Sequence, residues 1–589
     1  MKAKRNALPP PGAADKPSSL RCLAAPAAFA LALSAFAALP SVRASQTLLL
    51  TFTITPGLLL AWTALLFVRA RARPIRWHFV LRRPHWLQPL VQGSVYIYWG
   101  LAWPEVFHSA HFILAQILFA YAFDMLLFWS RSEDYELGLG PLPIIFSINL
   151  FLWFRPDWFY WQFVLVAAGF AAKQLFRWQK DGRSAHIFNP SSFPLAIASL
   201  LLIATGTAGH TWGEVIATTI GYPEHIFEYL FVISLPGQLL FGVAAMTMPA
   251  VFTAWLLGAV YFAFTGSYYY FGTIPTAAFL GMLLLFTDPA TAPKSEAGRI
   301  LYGVLYGLSV FVLYGLLETF GQPSFYDKLL LVPALNLSVQ WIDRLASSPR
   351  LRALLPDLTG RKRHAAWTAA WAGAFVMLLS LHGVGDTHPA NRLPYWQAAC
   401  DQKLRNGCHN LGRMELTFCN KGAPWACNEI GIRASVRTDL TPEKRREVEE
   451  AAFDRGCALG MPAACANHRA FAAGQTSFQT SPPLPADYEI MLESKGLPRQ
   501  HSNLQLAQWA CQQGWKDGCD KVARLTGGMQ LEAGGGVVEQ LERACSRGDQ
   551  NGCRSLAVLY RTGDGVPQDP RRAMACELGV VEGCLSAHR

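Results

Sequence analysis

The strongest constraint on the fold is a series of apolar runs that occupies residues from about 20 to 385. A helix needs about 20 apolar residues to cross the hydrocarbon core of a bilayer, and many of these runs approach that length. Charged residues make up only 15% of the chain, against about 25% in an ordinary soluble protein. We therefore predict a polytopic membrane domain over residues 22–384, then a linker at 385–396 and a polar domain at 397–589.

The apolar runs predict an all-α membrane bundle of about 10 to 13 spans, some of them short. Residues 1–21 are basic and rich in Pro and Ala, which is typical of a cytoplasmic tail. The run at 22–40 fits a cleaved signal sequence or a first membrane helix, and we expect a retained helix. The thirteen candidate spans lie near 22–40, 47–69, 88–103, 109–131, 139–154, 157–176, 190–209, 226–246, 248–267, 271–287, 299–320, 326–345 and 365–384.

The net charge of +11 comes largely from basic residues in loops between apolar runs. Such loops face the cytoplasm in membrane proteins, so the charge indicates a bilayer partner and not nucleic acid. With a cytoplasmic N-terminus in a bacterial inner membrane, the basic loops 69–87, 177–183, 294–299 and 344–364 all fall on the cytoplasmic side. An odd number of spans then places the chain after residue 385 in the periplasm.

Twelve of the thirteen cysteines form six pairs of one spacing, Cys-x-x-Gly-x-x-x-Gly/Ala-Cys, in which Lys403 replaces the first glycine once. Positions eight apart in a straight helix are about 12 Å apart, too far for a disulfide. A glycine that ends the first helix lets the chain turn back, so that each pair staples a helical hairpin. No Cys-x-x-Cys or Cys/His cluster suggests a metal site, and disulfides indicate an oxidising compartment. The predicted pairs are Cys400–Cys408, Cys419–Cys427, Cys457–Cys465, Cys511–Cys519, Cys545–Cys553 and Cys576–Cys584, which leaves Cys22 free.

The polar domain is also repetitive. Residues 555–573 contain Leu-x-x-x-Tyr, then Gly-x-Gly-Val, then an Asp before the next helix, and this segment resembles the Sel1-like repeat. The resemblance is specific over about 505–589 and weaker over 397–470, and 471–500 looks like an insertion. It implies an α-solenoid of stacked helical hairpins that binds a periplasmic protein or peptide.

Two short polar segments interrupt the apolar runs about a hundred residues apart. The first polar segment is Arg183–Phe193 and contains Asn189-Pro190; the second is Phe286–Pro293 and contains Thr287-Asp-Pro289. In the expected topology both lie near the cytoplasmic membrane face. Polar residues at such positions are functional candidates, but Asn and Asp beside proline are equally good helix caps, and the residues alone leave both interpretations open.

These two segments, with Gly298-Arg299, resemble the membrane family that contains the Rnf-D protein of Rnf electron-transport complexes and the Nqr-B protein of the sodium-translocating NADH:quinone oxidoreductase, over about 85–345. The resemblance implies electron transfer through a flavin, FMN or riboflavin, held among membrane helices together with other electron-transfer subunits. The residues implied in cofactor binding are Arg183, His186, Asn189, Ser191, Thr287, Asp288, Thr291 and Arg299.

The chain departs from this family at the threonine that carries covalent FMN. The Ser-Gly-Ala-Thr motif expected at about 205–225 is absent, and only Thr207 and Thr211 lie in the right region. We therefore expect any flavin to be noncovalent. The chain also lacks a Rossmann fingerprint, so NADH oxidation would need another subunit.

Two functions remain after this reasoning. The first is a flavin-dependent electron-transport subunit that presents a periplasmic Sel1-like interaction domain. The second is a non-redox transporter or membrane anchor for that domain. The sequence does not decide whether the chain is an oxidoreductase.

Overall fold

The computed structural model describes residues 19–70, 75–81, 83–180, 183–223, 225–270, 272–348, 360–383, 388–420, 422–437, 440–481, 522–523, 526, 537–562, 566–578 and 580–585. The chain divides into two compact units. The first takes in 1–257 and 274–381, and the second takes in 258–273 and 382–589. Residues 1–18 of the cytoplasmic tail expected at 1–21, the pair Cys511–Cys519 and most of the expected insertion lie outside the described residues.

Helices account for nearly all regular structure among the described residues up to 382, as the sequence predicted. In chain order the α-helices are α1 (Ser19–Ser34), α2 (Pro40–Arg43), α3 (Gln46–Ala70), α4 (Arg83–Ala102), α5 (Glu105–His108), α6 (Ala110–Trp129), α7 (Pro141–Asn149), α8 (Tyr160–Leu175), α9 (Ser192–Thr205), α10 (Gly213–Thr219), α11 (Ile226–Phe241), α12 (Ala244–Thr265), α13 (Thr276–Leu284), α14 (Glu296–Thr319), α15 (Asp327–Leu330), α16 (Val332–Ala346) and α17 (Gly360–His382).

Six helical segments among the described residues are long and apolar enough to cross a membrane, which makes this a membrane protein. They are Arg21–Ala38, Gln46–Arg69, Ala110–Trp129, Ala244–Thr265, Glu296–Thr319 and Gly360–Leu381. The other seven expected spans coincide with shorter or more polar helices. α7, for example, starts at a proline and ends after nine residues at Asn149. Spans beyond the six remain a prediction.

Strands form two small two-stranded sheets among the described residues. β1 (Arg76–Phe79) pairs in parallel with β2 (Asp134–Leu137), and β3 (Arg177–Lys180) pairs antiparallel with β4 (Arg183–His186). The second sheet was not expected, since the first polar segment was interpreted as an interruption between helices. The hairpin of β3 and β4 connects the end of α8 to the first polar segment.

Close packing of α12 and α14 depends on two glycines one helical turn apart. A Cβ on Gly303 would lie 2.2 Å from the Met246 carbonyl oxygen, and one on Gly307 would lie 2.3 Å from that of Ala250. Small residues four apart let two membrane helices approach at backbone distance. The arrangement fixes α14, which follows the second polar segment.

The second unit is a series of helical hairpins. Its α-helices are α18 (Leu393–Asp401), α19 (Gly407–Asn420), α20 (Pro424–Ser435), α21 (Pro442–Ala458), α22 (Pro462–Ala472), α23 (Val537–Ser546), α24 (Gln550–Thr562), α25 (Pro570–Glu577) and α26 (Val581–Leu585). Successive helices pack on one another around two buried clusters, one over 390–464 and one over 541–584.

Five of the six predicted disulfides are present, each between cysteines eight residues apart. They are Cys400–Cys408, Cys419–Cys427, Cys457–Cys465, Cys545–Cys553 and Cys576–Cys584. Cys22 is the free cysteine of the described residues and is buried. The disulfide-stapled helical hairpins predicted from the cysteine spacing are therefore confirmed for these five pairs.

The second hairpin shows how the first helix of such a unit ends. The Ala423 amide donates to the Phe418 carbonyl, while Gly422 takes a φ of 95°. This is the glycine-terminated helix end that the spacing predicted. The small residue that precedes the second cysteine is explained by close packing of the two helices. In the first hairpin, a Cβ on Gly407 would lie 2.6 Å from the Ala399 backbone, where the two helices meet.

Candidate functional site

The first polar segment begins in β4 and ends at the start of α9, where Asn189 acts as a helix cap. Its buried side-chain oxygen accepts hydrogen bonds from the Ser191 amide (2.9 Å), the Ser191 hydroxyl (2.8 Å) and the Ser192 amide (3.1 Å). An oxygen that receives these amides satisfies donors the helix itself cannot. Proline at 190 suits the turn because it has no amide to leave unpaired.

The second polar segment follows α13, and its Asp288 organises a turn in the same manner. One carboxylate oxygen of Asp288 accepts from the Ala290 amide (3.0 Å) and the other from the Thr291 hydroxyl (3.1 Å). The Thr287 hydroxyl donates back to the Leu283 carbonyl at 2.9 Å. Both segments are therefore held locally by the Asn, Asp, Ser and Thr residues that the sequence singled out.

The two polar segments meet. His186 Nε2 lies 3.4 Å from Asp288 Oδ2, and the Asn189 side-chain amide donates to the Leu285 carbonyl at 2.9 Å. A third contact comes from α8, where a Cβ on Gly169 would lie 2.3 Å from the Pro190 carbonyl oxygen. Residues about a hundred positions apart in the sequence are thus brought together.

Asp288 lies outside every candidate span, and its pKa is lowered. Burial acts to raise the pKa, but the hydrogen bond and charge of His186, together with hydrogen bonds from Ala290 and Thr291, outweigh it. The lowered pKa means that the folded protein holds Asp288 as a carboxylate.

Asn336 on α16 joins the site and was missed in the sequence. It is fully buried; its side-chain oxygen accepts the Asn189 amide at 3.0 Å, and its side-chain amide donates to the Tyr302 hydroxyl at 2.9 Å. The available signal was an asparagine within an apolar run, where an unpaired amide would be costly. Asn336 ties both polar segments to α14 and α16.

Arg299 and Asp343 complete the surroundings. The Arg299 guanidinium donates to the Pro293 carbonyl (3.0 Å) and the Gly242 carbonyl (2.8 Å). Asp343 accepts from the Lys294 and Ser295 amides, each at 3.1 Å, at the start of α14. Arg183 is placed in β4, and its side chain lies outside the described residues.

The described polar atoms at this site do not form an open cradle for a flavin. The side chains of Asn189, Asp288, Thr287 and Thr291 all bond to groups of the chain itself. A flavin needs donors for its ring oxygens and cations for its phosphate. Among the described contacts, the helix-cap interpretation left open by the sequence is the one the geometry supports.

Thr207 and Thr211 are no better suited to covalent attachment of a flavin than the polar segments are to binding one. Thr207 is near an exposed turn and shares a 2.6 Å hydrogen bond with the Thr205 hydroxyl. Thr211 is 5% exposed and donates to the Ala208 carbonyl at 2.9 Å. Among the described residues, no group of three His, Cys, Asp or Glu side chains could hold a metal ion.

A buried ion pair in the first unit was also missed. Lys328 Nζ lies 2.9 Å from Asp327 Oδ1, and both residues are at most 2% exposed. Lys328 Nζ also donates to the Phe325 carbonyl at 2.6 Å. The adjacent Asp-Lys inside the expected span 326–345 was the signal. An ion pair of this kind is costly to bury unless its partners are fixed.

Comparison of the chain with protein-family models, with curated proteins and with solved structures gave no match.

Proposed function

We propose that this chain is a membrane-anchored protein-binding protein, in which the helical bundle holds a disulfide-stapled hairpin domain that binds a protein or peptide segment on the periplasmic side. The observation that carries the proposal is a chain segment already bound to the hairpins. Gln479, which has no regular secondary structure, exchanges hydrogen bonds with the Asn467 side chain through both its amide (2.7 Å) and its carbonyl (2.8 Å). Stacked hairpins that bind an extended main chain in this way have the chemistry of a peptide-binding solenoid.

A peptide selection tests this function. Full-length protein in lipid nanodiscs, with its disulfides intact, is presented with a phage-displayed library of unstructured peptides. We expect enrichment of a shared motif on the oxidised protein and its loss after reduction with dithiothreitol. Equal enrichment on empty nanodiscs, or no enrichment on either the wild type or the variant Phe478→Ala/Gln479→Pro, would contradict a peptide-binding role.

A second candidate function is flavin-dependent electron transport of the Rnf-D type, in which the chain works with other electron-transfer subunits. The specific observation in its favour is the contact between the two polar segments through His186 and Asp288, since the resemblance is carried by that pair of motifs. The redox chemistry would come from the flavin and the positioning from the chain.

The visible absorbance of the purified protein, made in a host that supplies flavin, separates the two functions. A flavin band that filters away from the denatured chain would indicate noncovalent flavin. A band that stays with the chain and disappears in Thr207→Val, but not in the control Thr205→Val, would indicate covalent attachment. A colourless protein would leave the membrane-anchor function alone.

A further inference from the structure

Residues 475–481, which we call the clamped segment, contact the hairpins of α20 to α22 and have no regular secondary structure. The segment follows directly after α22 and has the sequence Gln-Thr-Ser-Phe-Gln-Thr-Ser. Most of its side chains are exposed, whereas its main chain is bonded to the hairpins. Recognition of this segment therefore rests mainly on its backbone, with side-chain contacts at Phe478 and Ser481.

Two buried asparagines provide the main-chain contacts. Asn467 on α22 pairs with both backbone groups of Gln479, and Asn428 on α20 donates to the same carbonyl at 3.0 Å. The Asn467 side-chain amide also donates to the Asn428 side-chain oxygen at 2.8 Å. Asn428 is 0% and Asn467 1% exposed with the segment in place. Without a bound backbone these two carboxamides would lose partners that buried polar groups need.

Ser481 forms the second attachment point. Its amide donates to the Glu429 carboxylate at 2.7 Å, and its hydroxyl donates to the Trp425 carbonyl at 3.1 Å. Asn428 reaches the same hydroxyl at 3.1 Å. Ser481, two positions after the clamped residue Gln479, is thus recognised through its backbone amide and its small hydroxyl.

Phe478 supplies an aromatic side-chain contact. Its ring centroid lies 4.7 Å from that of Phe453 on α21, and it is half-buried while its neighbours are exposed. Contact between two aromatic rings stabilises the bound segment beyond the burial of its apolar area. The site therefore fits an extended segment with an aromatic residue, a clamped residue of any side chain, and a serine-like residue two positions further on.

We infer that the clamped segment is an exchangeable occupant of a peptide-binding site, so that the protein inhibits its own binding until a partner segment of the pattern aromatic-x-x-Ser displaces it. This inference rests on the proposed peptide-binding function. A tethered segment competes at an effective concentration in the millimolar range, so even weak self-binding masks the site. Such a device makes the domain select partners that bind better than its own chain does.

Release of the segment tests the inference. In Phe478→Ala/Gln479→Pro the ring contact is lost and proline removes the amide that donates to Asn467. The probe is a fluorescent peptide of residues 475–481, whose binding to the full-length protein is measured by anisotropy. We expect at least tenfold tighter binding to the released variant than to the wild type, and loss of that binding when Asn467→Ala is added. The matched control is Thr480→Pro, because the Thr480 amide donates no hydrogen bond among the described contacts.

Equal binding of the probe to wild type and released variant, or binding that survives Asn467→Ala, would overturn the inference. Unfolding of the hairpins in the released variant would also overturn it, because the segment would then be a fixed structural part. Hydrogen exchange of the wild type gives a second measurement. The Gln479 and Ser481 amides should exchange far faster than amides inside α20 and α22, and equal protection would contradict exchange of the segment. Phage enrichment with no effect of segment release would leave the proposed function standing and remove only self-inhibition.

Discussion

Lys403 takes a left-handed conformation at the position where the other described hairpins have glycine. Its φ is 54°, whereas Gly422, Gly460 and Gly548 have φ values of 95°, 93° and 86°. A side chain with a Cβ pays about 1–2 kcal/mol for this conformation, and glycine does not. The first hairpin therefore carries strain that the others avoid.

Lys403→Gly should stabilise the protein by about 0.5–1 kcal/mol, since relief of the strain is partly offset by the greater freedom of glycine in the unfolded chain. The measurement is denaturant unfolding with disulfides intact. Gly422→Ala is the reciprocal control, because its surroundings are open and only the backbone conformation opposes the new methyl group. It should destabilise by about 1 kcal/mol, and a shift of both variants in one direction would contradict the argument.

Asp288 should make stability depend on pH. Its folded pKa lies below the ordinary value of about 4, so its contribution is present above that pH and is lost as the pH falls through the lowered folded pKa. Asp288→Asn should lower the unfolding free energy by about 1–3 kcal/mol at neutral pH. The difference from wild type should shrink in acid.

Thermal unfolding followed by tryptophan fluorescence across pH measures this difference. Asp157→Asn is the matched control, because Asp157 is an exposed carboxylate that also pairs with a histidine. Its effect should be small at all pH values. An Asp288→Asn deficit that persists unchanged in acid would exclude the carboxylate charge as its cause.

Sequence patterns identified the right residues in the polar segments but not their partners. Asn189 and Asp288 stood out because each precedes a proline in a break between apolar runs. Asn336 did not, since its partner Asn189 is 147 positions away and no local pattern encodes such a pairing. The flavin implied by resemblance could not be judged either, because whether a polar side chain is free or already bonded depends on the packing around it.

At the scale of helices, the apolar runs predicted the positions of the helices well but their lengths poorly. Runs such as 139–154 and 271–287 are largely apolar, but the helices within them, α7 and α13, have nine residues each. A proline lies at the start of each helix, Pro141 in α7 and Pro275 before α13, and composition over a window does not register it. The cysteine spacing predicted the helical hairpins more accurately. A disulfide requires a short distance between two cysteines eight residues apart, and only a hairpin satisfies it.

Gly303→Ala should separate α12 from α14. The added Cβ would lie 2.2 Å from the Met246 carbonyl oxygen, a backbone atom that cannot move without shifting its helix. Overpacking of this kind costs about 1–3 kcal/mol. The control is Gly57→Ala on α3, where a Cβ meets nothing within 4 Å. The thermal midpoint should fall only in the first variant; an equal change in both would contradict close approach of the helices.

Counting the reactive thiols tests all six predicted disulfides, including Cys511–Cys519. Labelling of the denatured chain without reductant should modify one cysteine, Cys22, whose burial requires denaturation for access. Cys22→Ser should then show none. Full reduction should expose all thirteen cysteines. Three reactive thiols before reduction would mean that the pair beyond the described residues is not bonded, and many more would remove the oxidised hairpins altogether.

At the scale of the whole molecule, the hairpin disulfides and the basic loops restrict the number of times that the chain crosses the membrane. Disulfides persist in an oxidising compartment, and on that ground we propose that the hairpins lie outside the cytoplasm. From the basic loops we propose that the N-terminus lies inside. Six long apolar helices are an even number, and six crossings would return the chain to its starting side. An odd number of the shorter helices must therefore cross as well if both assignments hold.

Alkaline phosphatase fusions test this topology directly, because the enzyme is active only outside the cytoplasm. We expect a fusion after Ser348, before α17, to be inactive and a fusion after Arg589 to be active. A fluorescent protein that matures only in the cytoplasm should give the opposite result at the two positions. The pair of sites brackets α17, the last candidate span at Gly360–Leu381, so a matching signal at both would show that this helix does not cross. Activity before α17 and none after it would invert the whole arrangement, and the hairpin disulfides would then need a reason to survive in a reducing compartment.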